Sequence, residues 1–370
     1  MQIIDKKLHN RLYLAFLVLG FGSFICYYAI MAQINYWNTF YDGEITTILS
    51  TAYDIAEIVG GLIIIPMEKK MTKTALAMIH YVGSIVLIAS LVPLKFIPNF
   101  QARYYITIIP VFFLGVTVSI VNALLIAVSS EVSEFCTNAQ AVGVGVSTIV
   151  ITAIQDLITL VFNTPPSAPN YEQNLINNAL MYYGITIAIL GFCVYVWSWM
   201  MKQLKKINDK KIQMLNAQAE DLLTDDTTIP TAKNTQQQST KINSKKQSVA
   251  KKIAFIASGT AMNNIVTFTM FPLFLLKVPC RALALKGELH NDWWILSVLT
   301  VQMLTDFIGR MLPKWEAMTK RITPNMIGIM CYSRVIFMVL FPLMTLPVGR
   351  FEEGVYYSPI ISNDFFFVAF

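Results

Sequence analysis

The chain has 370 residues, of which 55% are hydrophobic and 14% charged, with a formal net charge of +6. Soluble proteins carry about 25% charged residues, and no water-soluble fold hides this much apolar surface, so a soluble globular domain is excluded. The basic residues gather in particular loops between apolar runs, so the charge reads as membrane topology and no nucleic-acid partner is expected.

The apolar runs are continuous rather than alternating, and each is near or above the ~20 residues a spanning helix needs. Helices therefore fit and a β-barrel does not. Nine spans are predicted, at approximately 12–34, 46–67, 74–94, 104–130, 138–163, 178–201, 251–276, 293–313 and 325–347. The first follows Lys6, Lys7 and Arg11. Its apolar part is too long for a signal peptide and does not end in small residues. It runs into Gln33, Asn35, Tyr36 and Trp37, read as an aromatic anchor at the far interface.

The second span carries Asp54 and Glu57 at i and i+3, followed by Gly60-Gly61. Two carboxylates on one face repel, and burial disfavours charge on both. That chemistry suits a proton-linked site; the alternative is that each turns toward a basic partner or toward water. The fourth span carries Asn122 after Gly115. The fifth opens Asn138-Ala-Gln140-Ala-Val-Gly143-Val-Gly145-Val-Ser147, where the small residues permit close helix packing and Gln140 is a candidate polar contact. Trp197 and Trp199 near the end of the sixth, like Trp293 and Trp294 later, are expected as interfacial anchors.

Residues 202–250 are rich in Lys, Asn, Gln, Thr and Asp and nearly free of aromatics. Such a stretch buries too little to order itself, although its start, Lys202 to Leu223, could extend the sixth helix. The linker divides the chain into a six-helix bundle over 1–201 and a second, incomplete bundle over 251–370. This division around a basic loop suggests a two-bundle transporter. A cytoplasmic N-terminus places Lys6, Lys7, Arg11, Lys69, Lys70, Lys73, the linker lysines, Lys314, Lys320 and Arg321 inside. It leaves only Lys95, Arg103, Lys277, Arg281, Lys286 and Arg350 outside, so short loops favour that orientation.

The seventh span has Asn263 and Thr267 on one face, and Pro272, a residue that frees a carbonyl and kinks helices. The eighth has Gln302, Asp306 and Arg310 at i, i+4 and i+8, a polar stripe on an apolar helix. Each charge at a membrane centre costs roughly 2.5–3.5 kcal/mol on insertion scales. Asp306 and Arg310 are therefore either a functional site or a structural ion pair. The ninth span carries Arg334, a candidate partner for one of the acids. A last apolar run from Asp364 to Phe370 is too short to span, so the chain is expected to continue further.

No cofactor, metal site or enzymatic activity is expected. Cys26, Cys136, Cys193, Cys280 and Cys331 are scattered without a CxxC pair, and packing is their expected role. His9, His80 and His290 are isolated, and neither a nucleotide-binding loop nor a nucleophilic triad is visible.

Several segments resemble the equilibrative nucleoside transporter family. Asp306-Phe-Ile-Gly309-Arg310 is similar to its Asp-x-x-Gly-Arg motif in the eighth helix. Thr267-Phe-Thr-Met-Phe-Pro272 resembles its Thr-Leu-x-x-Phe-Pro stretch, and Arg334 to Pro342 its Arg-x-x-Phe-x-Pro-Leu region. Asn138-Ala-Gln140-Ala resembles the Ser-Gly-Gln-Gly start of its fifth helix, and Gly20-Phe-Gly22-Ser the Gly-Leu-Gly-Thr of its first. Departures are Cys26-Tyr27-Tyr28 for Pro-Trp-Asn, Asn122 for a glutamine, and Met303 for an asparagine, with Gln302 as its substitute. Asp54 and Glu57 match no family feature.

The resemblance implies an all-α polytopic membrane protein with a major-facilitator-like two-bundle architecture, eleven helices in the family against nine and a stub here. It implies carriage of nucleosides or nucleobases by alternating access, with the plasma membrane as the expected location. The substrate-binding or gating residues are then Asp306, Arg310, Gln302, Asn263, Tyr27, Asn122 and Gln140, with Asp54 and Glu57 as proton-linked candidates. The competing readings are a proton-coupled carrier of another small polar solute and a non-transporting membrane protein that binds partners through 202–250.

Overall fold

In the computed structural model the described residues are 6–41, 45–162, 164, 168–224, 292–312, 321–336 and 338, with helical pairs at 254–255, 258–259, 262–263 and 266–267 and strand pairs at 351–352 and 355–356. The architecture is that of an all-α polytopic membrane protein. Its helices are α1 Lys6–Ala32, α2 Ile34–Phe40, α3 Ile45–Met67, α4 Lys73–Leu94, α5 Phe100–Val132, α6 Glu134–Val161, α7 Tyr171–Thr224, α8 Asp292–Met311 and α9 Pro324–Ser333. Among the described residues, β1 Phe351–Glu352 and β2 Val355–Tyr356 form a small antiparallel ladder. Among the described residues, six helices, α1 and α3 to α7, are long and apolar enough to cross a membrane.

Without water in the bilayer core, every backbone group must be satisfied within the helix, which is why the apolar runs are helical throughout. Polar residues mark where they start. Thr72, Asn99 and Ser133 accept from the backbone N–H groups of Ala75, Ala102 and Cys136 at 3.2, 3.0 and 3.2 Å, capping α4, α5 and α6.

Helix α1 is central and packs on α5, α6 and α7; α5 also carries α3 and α4, and α4 reaches α7. Small residues set these approaches, as expected where lipid is as apolar as the core. A Cβ on Gly143 would collide with the Leu17 carbonyl oxygen of α1, and one on Gly20 with the Gln140 carbonyl oxygen of α6. Gly60 and Gly115 do the same between α3 and α5. Side chains such as Ile58, Leu62, Val86, Phe113 and Phe192 stay exposed, presenting apolar faces to lipid. Helix α8 packs on α6, joining residues beyond the linker to the first six helices.

Polar residues in the interior pair with one another. At the far end of the bundle, Gln33 Nε2 donates to Gln155 Oε1 at 2.7 Å and to Asn178 Oδ1 at 3.2 Å, tying α1, α6 and α7. Cys26, Cys136 and Cys193 are buried and unbridged, and Cys331 is half-buried; Cys280 lies outside the described residues.

Two expectations change. Tyr36 and Trp37 are fully buried, and Trp37 Nε1 donates to the Ile30 carbonyl at 2.9 Å. They belong to the interior because Gln33 ends α1 and α2 packs on α3 and α7. Trp197 is likewise fully buried rather than interfacial, because α7 continues beyond it instead of ending there. The beginning of the linker extends the sixth span, as its sequence allowed: α7 runs to Thr224, with Lys202, Lys205, Lys206 and Lys210 exposed. Residues 225–253, Pro272, Trp315, Pro342 and the run from Asp364 lie outside the described residues.

Candidate functional site

A cavity of about 740 Å³ opens between the first six helices and the segments beyond the linker. Its near wall is Phe24, Tyr27 and Tyr28 of α1, Tyr53 and Glu57 of α3, Asn122 and Ile126 of α5, and Gln140, Ala141 and Val144 of α6. Its far wall is Asn263 and Thr267, then Gln302, Met303, Thr305, Asp306, Gly309 and Arg310 of α8, and Arg334. All seven residues expected to bind or gate a substrate line this one space. Of the two proton-linked candidates, Glu57 lines it and Asp54 does not.

The Asp306–Arg310 pair follows from helical geometry, since residues four apart stack on one face. Arg310 Nε donates to Asp306 Oδ2 at 2.8 Å. About a third of each side chain remains accessible, 38% for Asp306 and 36% for Arg310, and both border the cavity. Tyr28 is within electrostatic reach of both charges and of Glu57.

Two features of α6 hold α8 in register. Thr148 Oγ1 lies 3.1 Å from the Met303 carbonyl oxygen and 2.7 Å from that of Gly145. The missing side chain of Gly145 makes room for Arg310: a Cβ there would stand 3.0 Å from Arg310 Cδ and 3.4 Å from Phe307 Cδ2. Gly143 and Gly145 thus face different partners, one α1 and the other the charged stripe.

The amides are arranged in pairs. Gln140 Nε2 donates to Asn122 Oδ1 at 2.8 Å, which couples α6 to α5. Arg334 Nη1 donates to Asn263 Oδ1, so Arg334 meets an amide rather than the expected acid. Thr267 Oγ1 donates to the Asn263 carbonyl at 2.9 Å.

Aromatic rings supply the apolar surface. The Tyr27 and Tyr53 ring centroids are 4.6 Å apart, and those of Tyr27 and Tyr28 are 5.5 Å apart. Tyr27 Oη lies 3.5 Å from Ser50 Oγ, and Ser50 also hydrogen-bonds Asp54. Asp54 therefore sits behind the aromatic wall, one helical turn from Glu57. Four buried polar atoms here have no partner among the described residues: Tyr53 Oη, Asp54 Oδ1, Glu57 Oε2 and Gln302 Oε1.

Sequence reasoning passed over Tyr28, Tyr53, Phe24 and Gly145. Tyr53 precedes Asp54 and lies one turn before Glu57, a spacing that could have marked it; the glycine gave no such signal.

Among the described residues no cluster of three or more His, Cys, Asp or Glu could hold a metal ion. What the lining offers is hydrogen-bond donors and acceptors beside aromatic rings. Its volume falls within the roughly 300–1,000 Å³ of small-molecule sites, and its mix of aromatic walls with few fixed polar groups is typical of them. The family model described as "Nucleoside transporter" matches residues 108–370, well over half of the chain. Comparison with the curated proteins gives no match.

Proposed function

Because the chain belongs to the nucleoside transporter family, we propose that it carries nucleosides and nucleobases by alternating access, with the cavity between its two halves as the substrate site. Family membership makes it a membrane transporter and not an enzyme. The observation that carries the substrate reading is the convergence of Asp306, Arg310, Gln302, Asn263, Tyr27, Asn122 and Gln140 on one space.

A carboxylate accepts from ribose hydroxyls or base N–H groups, and a guanidinium donates to base or ribose oxygens. The tyrosine rings give a base an apolar face, and the free Gln302 Oε1 gives a buried acceptor. Sites that hydrogen-bond a substrate reject analogues lacking the group, since their own polar atoms are left unpaired. Movement fits the walls. Each half supplies one side, and among the described residues Gly309 has nothing within 4 Å of where a Cβ would stand, which leaves α8 space for another helix to approach. The N-terminus is cytoplasmic in this reading, and the plasma membrane is its location.

The test is uptake of labelled adenosine and hypoxanthine by cells expressing the chain, in competition with a panel of nucleosides and nucleobases. Saturable uptake inhibited by both classes is expected. Surface-expressed protein that moves neither would overturn the assignment.

A second reading adds proton coupling, favoured by the two unpartnered buried carboxylate oxygens of Asp54 and Glu57. An inward proton gradient then stimulates uptake, and Glu57→Gln removes that stimulation while exchange at equal pH continues. Uptake indifferent to the gradient in the unmodified chain would eliminate it.

A further inference from the structure

A second cleft, of about 1010 Å³, lies at the end of the bundle that carries the N-terminus, among the start of α4, the end of α5 and the part of α7 that leaves the apolar span. It plays no part in the transport reading. Its walls have two characters. Val128, Met201 and Leu204 form an apolar side, and Lys73, Lys202 and Lys205 form a basic one.

The charge balance at the cleft is uneven. Among the described residues Glu131 is its one carboxylate, and Lys73 holds it at 2.7 and 2.9 Å. Lys202 and Lys205 take part in no ion pair among the described residues. They lie at i and i+3 on α7, so they share a face. Lys206 and Lys210 continue the exposed basic surface along the helix.

We infer that this cleft binds an anionic glycerophospholipid, its phosphate held by Lys202 and Lys205 and an acyl chain laid against Val128, Met201 and Leu204. The position supports that occupant. The apolar span of α7 gives way to lysines here, as a spanning helix does where it leaves the acyl chains. Basic pockets between spanning helices on the cytoplasmic side are suited to such headgroups, and each nearby lysine adds attraction to an anionic leaflet. A free phosphate would use the lysines alone and leave the apolar wall empty. An acidic peptide would leave the acyl-level part unfilled.

Purified full-length chain is titrated with phosphatidylserine or phosphatidylcholine in detergent and bound lipid is counted by native mass spectrometry. Phosphatidylserine is retained and phosphatidylcholine is not. The triple variant Lys73→Gln, Lys202→Gln, Lys205→Gln loses affinity on the order of 100-fold. Arginine at the same three positions restores it, which separates charge from folding. Added inorganic phosphate leaves the bound lipid in place. Equal retention of both lipids, or equal retention by the glutamine variant, overturns the inference, as does full displacement by phosphate.

Discussion

Arg310→Lys lowers nucleoside uptake about 10- to 100-fold without reducing the amount of protein at the cell surface. Hydrogen bonds to charged groups contribute about 1.5–3 kcal/mol, and each 1.4 kcal/mol is a factor of ten. Lysine keeps the charge but loses the planar fork that holds Asp306 through Nε and presents further donors. Asp306→Asn has a similar effect, since it removes the anionic acceptor that also compensates Arg310. A paired experiment separates substrate contact from bracing. If the two charges only brace α8, the double variant Asp306→Asn, Arg310→Gln recovers most uptake, because removing both partners leaves no uncompensated charge. Contact with substrate predicts that the double variant stays as inactive as either single one. Initial rates normalised to surface-labelled protein decide between them.

Two glycines one residue apart on α6 respond to the same substitution in opposite ways. Gly143→Ala places a methyl against the Leu17 carbonyl oxygen and 2.8 Å from the Phe21 amide nitrogen, both backbone atoms of α1. Neither yields without moving a helix, so the cost is about 1–3 kcal/mol or more of packing strain. The expected result is a lower thermal midpoint in fluorescence-detected size exclusion, with less monodisperse protein. Gly145→Ala meets the flexible Arg310 chain at 3.0 Å, which shifts by a few tenths of an ångström. Its thermal midpoint stays near that of the unmodified chain while uptake falls about threefold to tenfold, as small misplacements of a positioning group do. A midpoint loss for Gly145→Ala equal to that of Gly143→Ala would show that Arg310 is not mobile at this contact.

The legible part of this protein was the part written locally. Uninterrupted apolar runs dictate helices because lipid offers the backbone no partner, and α1 and α3 to α6 lie within a few residues of where those runs place them. The cost of charge in an apolar segment singles out Asp306 and Arg310 before any neighbour is known, and their spacing alone brings them together. The sequence also showed polar residues scattered over several spans. It did not show that they converge, nor that Asp54 sits behind the wall that Glu57 reaches.

Those outcomes depend on how each helix is rotated, and hydropathy is a poor guide to rotation in a bilayer. The face against lipid is as apolar as the face against another helix, so the periodicity that orients a soluble helix fades. Ile58 faces outward and Tyr53 inward on α3, although both are apolar side chains of a single helix. Trp197 looked like an anchor because it is aromatic and near the end of an apolar run, and only the neighbouring helices show it enclosed. Gly143 and Gly145 read alike as small residues. Tertiary structure alone gave one of them to α1 and the other to Arg310, because what a glycine does is set by the atom that occupies the space it leaves.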